Sequence, residues 1–496
     1  MTETSVEREL KLEPDAHFSL ARLEPRFDEY VGSPARARRL HTIYYDTPDL
    51  RLTRWGCSLR LRRGEGWTLK LPVPHDGDAL VREEHVFAEA GDGVPAGAIE
   101  LATAYLRGAA PRPVAELRTL RVSRRVTTGE GDDLAEVVED DVRVVEGRRV
   151  VRRFRQVEIE LDAHAPDAAL DAIGASLRSH GAGRPDPVPK NVRAIGARAG
   201  SPELAPNALD RDATLADLVR ATLASSVERV IRFDAKLRTA PDERSVHGAR
   251  VAVRRLRSAL RTFRPVLEAA WADNLRERLA WLQDGLSAAR DADAMIAGVM
   301  RRSEVLGDGD RHRIEDVLTP LRLSRDESYA RVGAMLRDTR YVVLLQAIVD
   351  GAKHPVLEAA ADAPARVALR AIMRAAWKAL RKRVRSRTRP PSDRELHRIR
   401  IAAKRLRYAA EAVAPVGGRR ARRLGRAAER LQSVLGEHHD AVVTSQRLRS
   451  VGASADVAFL AGTIAGLERV AALDARAAWR RPWRRARRAY RRSTRG

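Results

Sequence analysis

The sequence predicts a multidomain α+β chain: an N-terminal antiparallel β-barrel or tunnel with flanking helices, followed by an all-α half of duplicated helical bundles. Three observations lead there. Short segments of alternating apolar and charged residues fill the first 200 positions. A basic helical motif beginning at His247 returns 150 positions later at His397. The Gly/Pro/Ala-rich stretch GARAGSPELAPNALDRDA separates these two regimes. With 496 residues, more than one core is expected. The boundaries read as 1–200 for the β-rich domain, 201–211 for a linker and 212–496 for the helical domain, its bundles falling at about 212–350 and 360–496.

The β-rich domain is built from VERELKL, HTIYYDT, CSLRLRR, GWTLKLP, VREEHVF, LRVSRRVTT, LAEVVEDDVRV and FRQVEIEL. Turn-forming GEG, HDGD, TGEGDD and EGRR separate them, and AIELATAYLRGA and DAALDAIGASLRSHG have helical spacing. In VERELKL, Glu7, Glu9 and Lys11 share one parity and Val6, Leu10 and Leu12 the other. The pattern recurs as Leu59 and Leu61 against Arg60 and Arg62, Trp67, Leu69 and Leu71 against Thr68 and Lys70, and Val157, Ile159 and Leu161 against Glu158 and Glu160.

Any one such strand fits a sheet with its charged face in solvent. Taken together, acidic pairs and basic residues recurring at the same spacing point to charged faces turned toward one another inside a barrel, with helices covering the apolar outside. Buried like charges need counterions. Two carboxylate pairs, Glu7/Glu9 and Glu158/Glu160, form an oxygen-donor set for Mg²⁺ or Mn²⁺, and Lys11, Arg60, Arg62 and Lys70 are placed to hold phosphates.

These residues resemble the CYTH family, the triphosphate tunnel metalloenzymes, whose members include inorganic triphosphatases, thiamine triphosphatases and a class of adenylyl cyclases. The E-R-E-L-K run matches the family's ExExK signature. IYYDTPDLRLTRWGCSLRLRR is similar to its Y-x-D-T segment leading into an arginine strand, and Lys70, Arg121 and E-I-E at Glu158 and Glu160 follow in order over roughly residues 4–195. The resemblance implies an eight-stranded antiparallel tunnel, metal ligation by Glu7, Glu9, Glu158 and Glu160, and phosphate binding by Lys11, Arg60, Arg62, Lys70, Arg121 and Lys190. It implies catalytic roles for Glu9, Lys11 and a late acidic residue, Asp140 in preference to Asp141. The family often ends in Ser-Lys; here Pro189 precedes Lys190, so only the lysine carries over.

Residues 1–200 hold 31 basic against 33 acidic side chains, so the whole net charge of +25 and slightly more belongs to residues 201–496. Such a surface attracts polyanions: nucleic acid, anionic membrane or polyphosphate. His247, Arg250, Arg254, Arg257 and Arg261 step by three and four along one helix face; His397, Arg400, Lys404 and Arg407 repeat it, with Glu411 where the first copy has Arg261. The second stripe is therefore expected to be shorter. Downstream, Leu282, Gln283, Leu286 and Asp291 align at offset 149 with Leu431, Gln432, Leu435 and Asp440. The duplicated motif resembles CHAD domains over roughly residues 212–490, which implies paired helical bundles that bind inorganic polyphosphate. The two histidines are expected to gain charge below about pH 6.5, their unperturbed pKa. The tail AWRRPWRRARRAYRR interleaves Trp479, Trp483 and Tyr490 with arginines; base stacking, a membrane surface and a basic helix closing the last bundle all fit it.

The functional expectation is a divalent-metal-dependent triphosphatase tethered to polyphosphate. A non-catalytic polyphosphate binder, a nucleic-acid-binding protein and an adenylyl cyclase are the alternatives. No zinc-finger spacing or RNP-type motif supports nucleic acid. Cys57 is the only cysteine, so no intramolecular disulfide forms. The absence of a signal-like or membrane-length apolar run leads to an expected cytoplasmic location, near polyphosphate granules.

Overall fold

The structure is a computed structural model and describes residues 2–73, 80–87, 91, 93–206, 208–210, 212–307, 313–449 and 455–494. The HDGD turn at 75–78 and positions 207 and 211 of the expected linker lie outside the described residues. The chain divides into two compact units, Met1–Glu203 and Leu204–Gly496.

In the first unit, strands β1 (Thr2–Leu12), β2 (Arg26–Phe27), β3 (Tyr30–Gly32), β4 (Arg36–Asp46), β5 (Ser58–Arg62), β6 (Gly66–Pro72), β7 (Leu80–Phe87), β8 (Arg112–Thr127), β9 (Asp133–Glu146) and β10 (Arg149–Leu161) form one antiparallel sheet. Its order is β2-β3-β8-β4-β5-β6-β7-β1-β10-β9, and β9 also pairs with β8. That last pairing closes eight strands into a barrel, leaving the β2–β3 hairpin as an appendage on β8.

Because side chains alternate along each strand, closure sends one parity inward and the other outward. On β1 and β10 the outward set is Leu10, Leu12, Val157, Ile159 and Leu161. They are buried together with Ala169, Leu170, Ile173 and Leu177 of helix α1 (Asp167–Ser179). Arg8, also outward, donates to Asp167 at 2.6 Å and pins the start of that helix. Elsewhere Trp67 and Tyr45 meet at 4.6 Å, and Trp55 touches Tyr105 of a short helix (Thr103–Leu106) at 6.0 Å.

The Y-x-D-T segment has a clear local task. Asp46 is buried and accepts hydrogen bonds from the amides of Thr47, Leu52 and Thr53 at 2.7–2.8 Å, which fixes the turn from β4 toward β5. At the other end of the unit, Glu203 accepts from Trp55 at 2.5 Å and from Arg107 at 2.7 and 2.8 Å. The stretch read as a linker from residue 201 thus begins as part of the barrel unit.

A short helix, α2 (Lys190–Ile195), belongs to the barrel unit, and the second unit contains α3 (Leu215–Arg232), α4 (Glu243–Thr262), α5 (Ala269–Ser303), α6 (Ile314–Arg337), α7 (Thr339–Lys353), α8 (Ala365–Arg385), α9 (Asp393–Ala412), α10 (Ala414–Leu448), α11 (Ala455–Ala478) and α12 (Arg480–Thr494). Helices α4 and α9 each start at a capping box, Asp242 with Ser245 and Ser392 with Glu395, 150 positions apart. The two copies meet through reciprocal main-chain bonds. Leu215 N donates to Ala363 O at 2.9 Å, and Ala365 N donates to Ala213 O at 3.0 Å. Each bond maps onto the other by the same 150-residue shift, which is the signature of a local pseudo-twofold.

Replacing Ile159, fully buried between barrel and α1, by Ala should cost about 2–5 kcal/mol in urea unfolding. Val6→Ala on the same strand should change stability by no more than about 0.5 kcal/mol, because Val6 is 53% exposed.

Candidate functional site

The inward parity of the barrel collects charge of both signs. A cavity of about 340 Å³ is lined by twenty residues, of which seven are acidic and eight basic. Ladder register sets their neighbours: Glu9 lies opposite Glu160, Lys11 opposite Glu158, Glu7 opposite Arg82, Lys70 opposite Glu84 and Arg121 opposite Asp140.

Two groupings result. In the first, carboxylate oxygens of Glu7, Glu9 and Glu160 lie within 4.8 Å of one another. Lys70 contacts both oxygens of Glu7 at 2.6 Å, and Arg82 pairs with Glu9 and, at 3.7 Å, with Glu7. Glu160 has no ion-pair partner within 4.0 Å among the described residues. Burial pushes its carboxyl up; Glu7 and Glu158 add to this against Lys70 and Arg121. Burial also acts to raise Glu9, but Lys11 and Arg82 outweigh it and hold the carboxyl at about 2. Three clustered hard-oxygen donors, one lacking a counterion, fit a divalent cation such as Mg²⁺ or Mn²⁺.

In the second grouping, Glu158 sits among cations. Lys11 bridges it to Glu9, the latter contact being 2.6 Å, and Lys190 joins it to Asp140. Asp140 is fully buried and accepts a two-point hydrogen bond from Arg121 at 2.9 and 2.8 Å. Asp141 turns outward to Arg153. Of the four carboxylates read as metal ligands, three are brought together, while the fourth, Glu158, organises Lys11, Lys190 and Arg121.

Arg60 reaches Glu84 only at 3.4 Å, and Arg62 pairs with Glu65 at 2.7 Å. The buried Nε atoms of Arg60, Arg62 and Arg82 make no hydrogen bond. They are buried donors without a partner on residues that line the cavity. Arg82, Glu84 and Glu136 were missed in the sequence. VREEHVF carries the parity that would have found the first two, since Arg82 and Glu84 share a face with Val86.

In the helical unit, α4 and α9 pack together and bring Arg250, Arg254, Arg400 and Lys404 into one cluster. Arg254 donates to Tyr408 Oη at 2.6 Å. Asp291 and Asp440, the aligned aspartates, stand 3.8 and 4.0 Å from Arg250 and Arg400 and are largely exposed. Burial and the three surrounding arginines lower Lys404 to about 7. Arg257 and Arg261 extend the first stripe beside Arg276 and Arg405. Arg407 is bound by Glu411 at 2.6 Å and Glu429 at 2.8 Å, which ends the second stripe at Lys404.

The histidines behave differently from the sequence expectation. His247 accepts a hydrogen bond from Arg290 at 3.1 Å, and His397 meets His439 at 3.2 Å. Burial and neighbouring cations, Arg290 and Arg254 at His247 and Arg400 and Lys404 at His397, lower both below the ordinary imidazole value. The group poised near neutrality is Lys404.

A closed eight-stranded barrel with carboxylates and phosphate-sized cation clusters inside defines the triphosphate tunnel class of protein. Residues 5–184 match the CYTH domain and residues 221–449 the CHAD domain. The uncharacterized protein Rv2226 of Mycobacterium tuberculosis is 30% identical over 447 residues, 85% of this chain and 84% of its own length. This chain belongs to the CYTH–CHAD family. Among solved structures, PptA from Streptomyces chartreusis is 20% identical with TM-score 0.44, covering 55% of this chain and 100% of its own. The CHAD domain from the plant Ricinus communis is 27% identical with TM-score 0.44, covering 55% and 96%. No described helix is long and apolar enough to cross a membrane.

If the surrounding arginines hold Lys404 down, Arg254→Met should raise its pKa by about one unit or more, read by NMR of ¹³C-methylated lysines. A lysine already titrating above pH 9 in the parent protein would contradict the cluster.

Proposed function

We propose that the barrel is a divalent-metal-dependent hydrolase of inorganic triphosphate or a related phosphoanhydride, and that the helical half binds inorganic polyphosphate. The observation that carries the first part is the gathering of the Glu7/Glu9/Glu160 cluster and of Arg60, Arg62 and Arg82 round one cavity. A phosphate-only binder would gain nothing from three carboxylates on its wall.

Glu7, Glu9 and Glu160 would hold the metal, which neutralises phosphate oxygens and makes bound water more acidic. Arg60, Arg62 and Arg82 supply hydrogen bonds to phosphate oxygens. Lys11 and Arg121 are held in place by Glu158 and Asp140, so their charge is set before substrate arrives and stabilises the transferred phosphoryl group in an in-line displacement. Asp140 acts through Arg121 and Lys190 as a positioning residue. The lining favours a bare phosphate chain over a nucleotide. Fifteen of the twenty lining residues are charged, and Tyr44 and Val86 are the only sizeable apolar surfaces there for a purine.

In the helical half, Arg250, Arg254, Arg400 and Lys404 form an under-neutralised cluster, so a polyanion relieves repulsion as well as releasing its own counterions. Its bound state favours protonated Lys404. Affinity is therefore fully present below pH about 7 and declines as pH rises through the free pKa toward the bound one.

Glu9→Gln and Glu160→Gln should each reduce metal-dependent release of phosphate from tripolyphosphate by about 10²-fold or more with the fold intact. Near-parental turnover in both would sink the site assignment. Assays with pyrophosphate, ATP, thiamine triphosphate and long polyphosphate, with cyclic AMP measured alongside, separate the substrate classes.

Charge reversal at Arg250, Arg254, Arg400 and Lys404 should weaken polyphosphate binding and flatten its salt dependence without changing tripolyphosphate turnover. In Lys404→Met alone, proton uptake on binding at pH 8, measured by calorimetry in buffers of different ionisation enthalpy, should fall.

A further inference from the structure

The aromatic residues of the tail are committed inside the helical unit. Trp377 of α8 stacks on Trp483 at 5.2 Å and on Tyr490 at 4.4 Å, with interplanar angles of 9° and 12°. Trp479 and Ala486 are buried as well. The rings that base stacking or membrane insertion would need are therefore spent on holding α12 against its bundle. What α12 leaves outside is arginine.

Arg485, Arg488 and Arg492 of α12, at steps of three and four, line a groove of about 420 Å³ with Arg420, Arg423 and Arg430 of α10. Ala427 and Ala489 supply the small residues between the rows, and no acidic residue lines the groove. At Gly418 the backbone leaves the helical region, φ +59°, so Arg420 and Arg423 stand in the opening turns of the helix that follows, where the dipole adds positive potential. At offset 149 the first copy has Trp271, Asn274 and Trp281 in place of Arg420, Arg423 and Arg430. The groove is an addition to the second copy, and α12 lies beyond the residues that match the CHAD domain.

We propose that this groove is a second binding site for inorganic polyphosphate, separate from the α4/α9 cluster. Its place rests on the groove itself, and the identity of its ligand rests on the polyphosphate reading of this unit. Six guanidinium groups round one small space call for many negative charges in little volume. A nucleic-acid strand brings about one charge per 3.4 Å and spends most of its bulk on sugar and base, whereas a phosphate chain brings one per phosphoryl unit. Arginine forks donate to two phosphate oxygens at a time, and no aromatic or amide side chain lines the groove to read a base.

The test uses the full-length chain and sodium polyphosphate of one defined short length. Calorimetry should find two sites in the parent, one in Arg423→Ala/Arg430→Ala/Arg488→Ala, one in the α4/α9 charge-reversal variant and none in the combination. An unchanged stoichiometry and salt slope in the triple variant overturns the groove. Loss of all binding in the α4/α9 variant also overturns it, while leaving the proposed function standing; loss of a site in the groove variant alone has the opposite meaning. A measurement independent of variants is phenylglyoxal labelling of the parent, read by mass spectrometry. Polyphosphate should protect Arg423, Arg430, Arg485 and Arg488, and lack of protection overturns the proposal. Displacement of polyphosphate from the α4/α9 variant by single-stranded RNA at equal phosphate concentration overturns it in favour of nucleic acid.

Discussion

The barrel unit depends on the sharing of Lys11 between Glu9 and Glu158. Ionised groups taken from water cost several kcal/mol each unless opposite charges and hydrogen bonds replace their solvation. Adjacent strands provide that replacement through register: β1 presents Lys11 to Glu158 on β10, β7 presents Arg82 to Glu7, and β8 presents Arg121 to Asp140. A slip of one residue would turn each inward charge outward and bring Leu10 or Ile159 into the cavity. The charge pairs thus specify the register while the apolar outer faces, under α1, supply the burial that stabilises it.

The two units handle buried charge in opposite ways. Inside the barrel nearly every cation already has a carboxylate, so the positions of the charges are set in advance. At the α4/α9 junction the cations outnumber their partners, and the cost appears as a lysine whose amine has lost much of its hold on its proton. The first arrangement suits discrimination at a reacting centre. The second suits capture of a long chain, where total charge matters more than the placing of any one oxygen.

Much of this was legible in one dimension. Period-two parity exposed Glu7, Glu9, Lys11, Arg60, Arg62, Lys70, Glu158 and Glu160, because a strand's faces are a local property. The repeat exposed both basic stripes for the same reason. Arg82 and Glu84 stayed hidden because their importance comes from β7 lying beside β1, a pairing between distant segments. The bridging of Glu158 to Asp140 likewise depends on Lys190, brought in by α2. The depressed amine of Lys404 owes much to Arg254 and Arg250 on another helix, and the inward turn of Trp483 and Tyr490 depends on Trp377, more than a hundred positions away.

The reciprocal bonds between Leu215 and Ala363 and between Ala365 and Ala213 make the helical unit resemble a homodimer whose protomers share one chain. In a true homodimer every substitution appears twice, so both ends of an interface change together. Covalent fusion removes that constraint. Arg254 meets Tyr408, whereas the mirror positions are Lys404 and Ser258, and the arginines that line the groove on α10 have no counterparts in the first copy. A surface that began symmetric is free to evolve a direction, so its two ends need not do the same work.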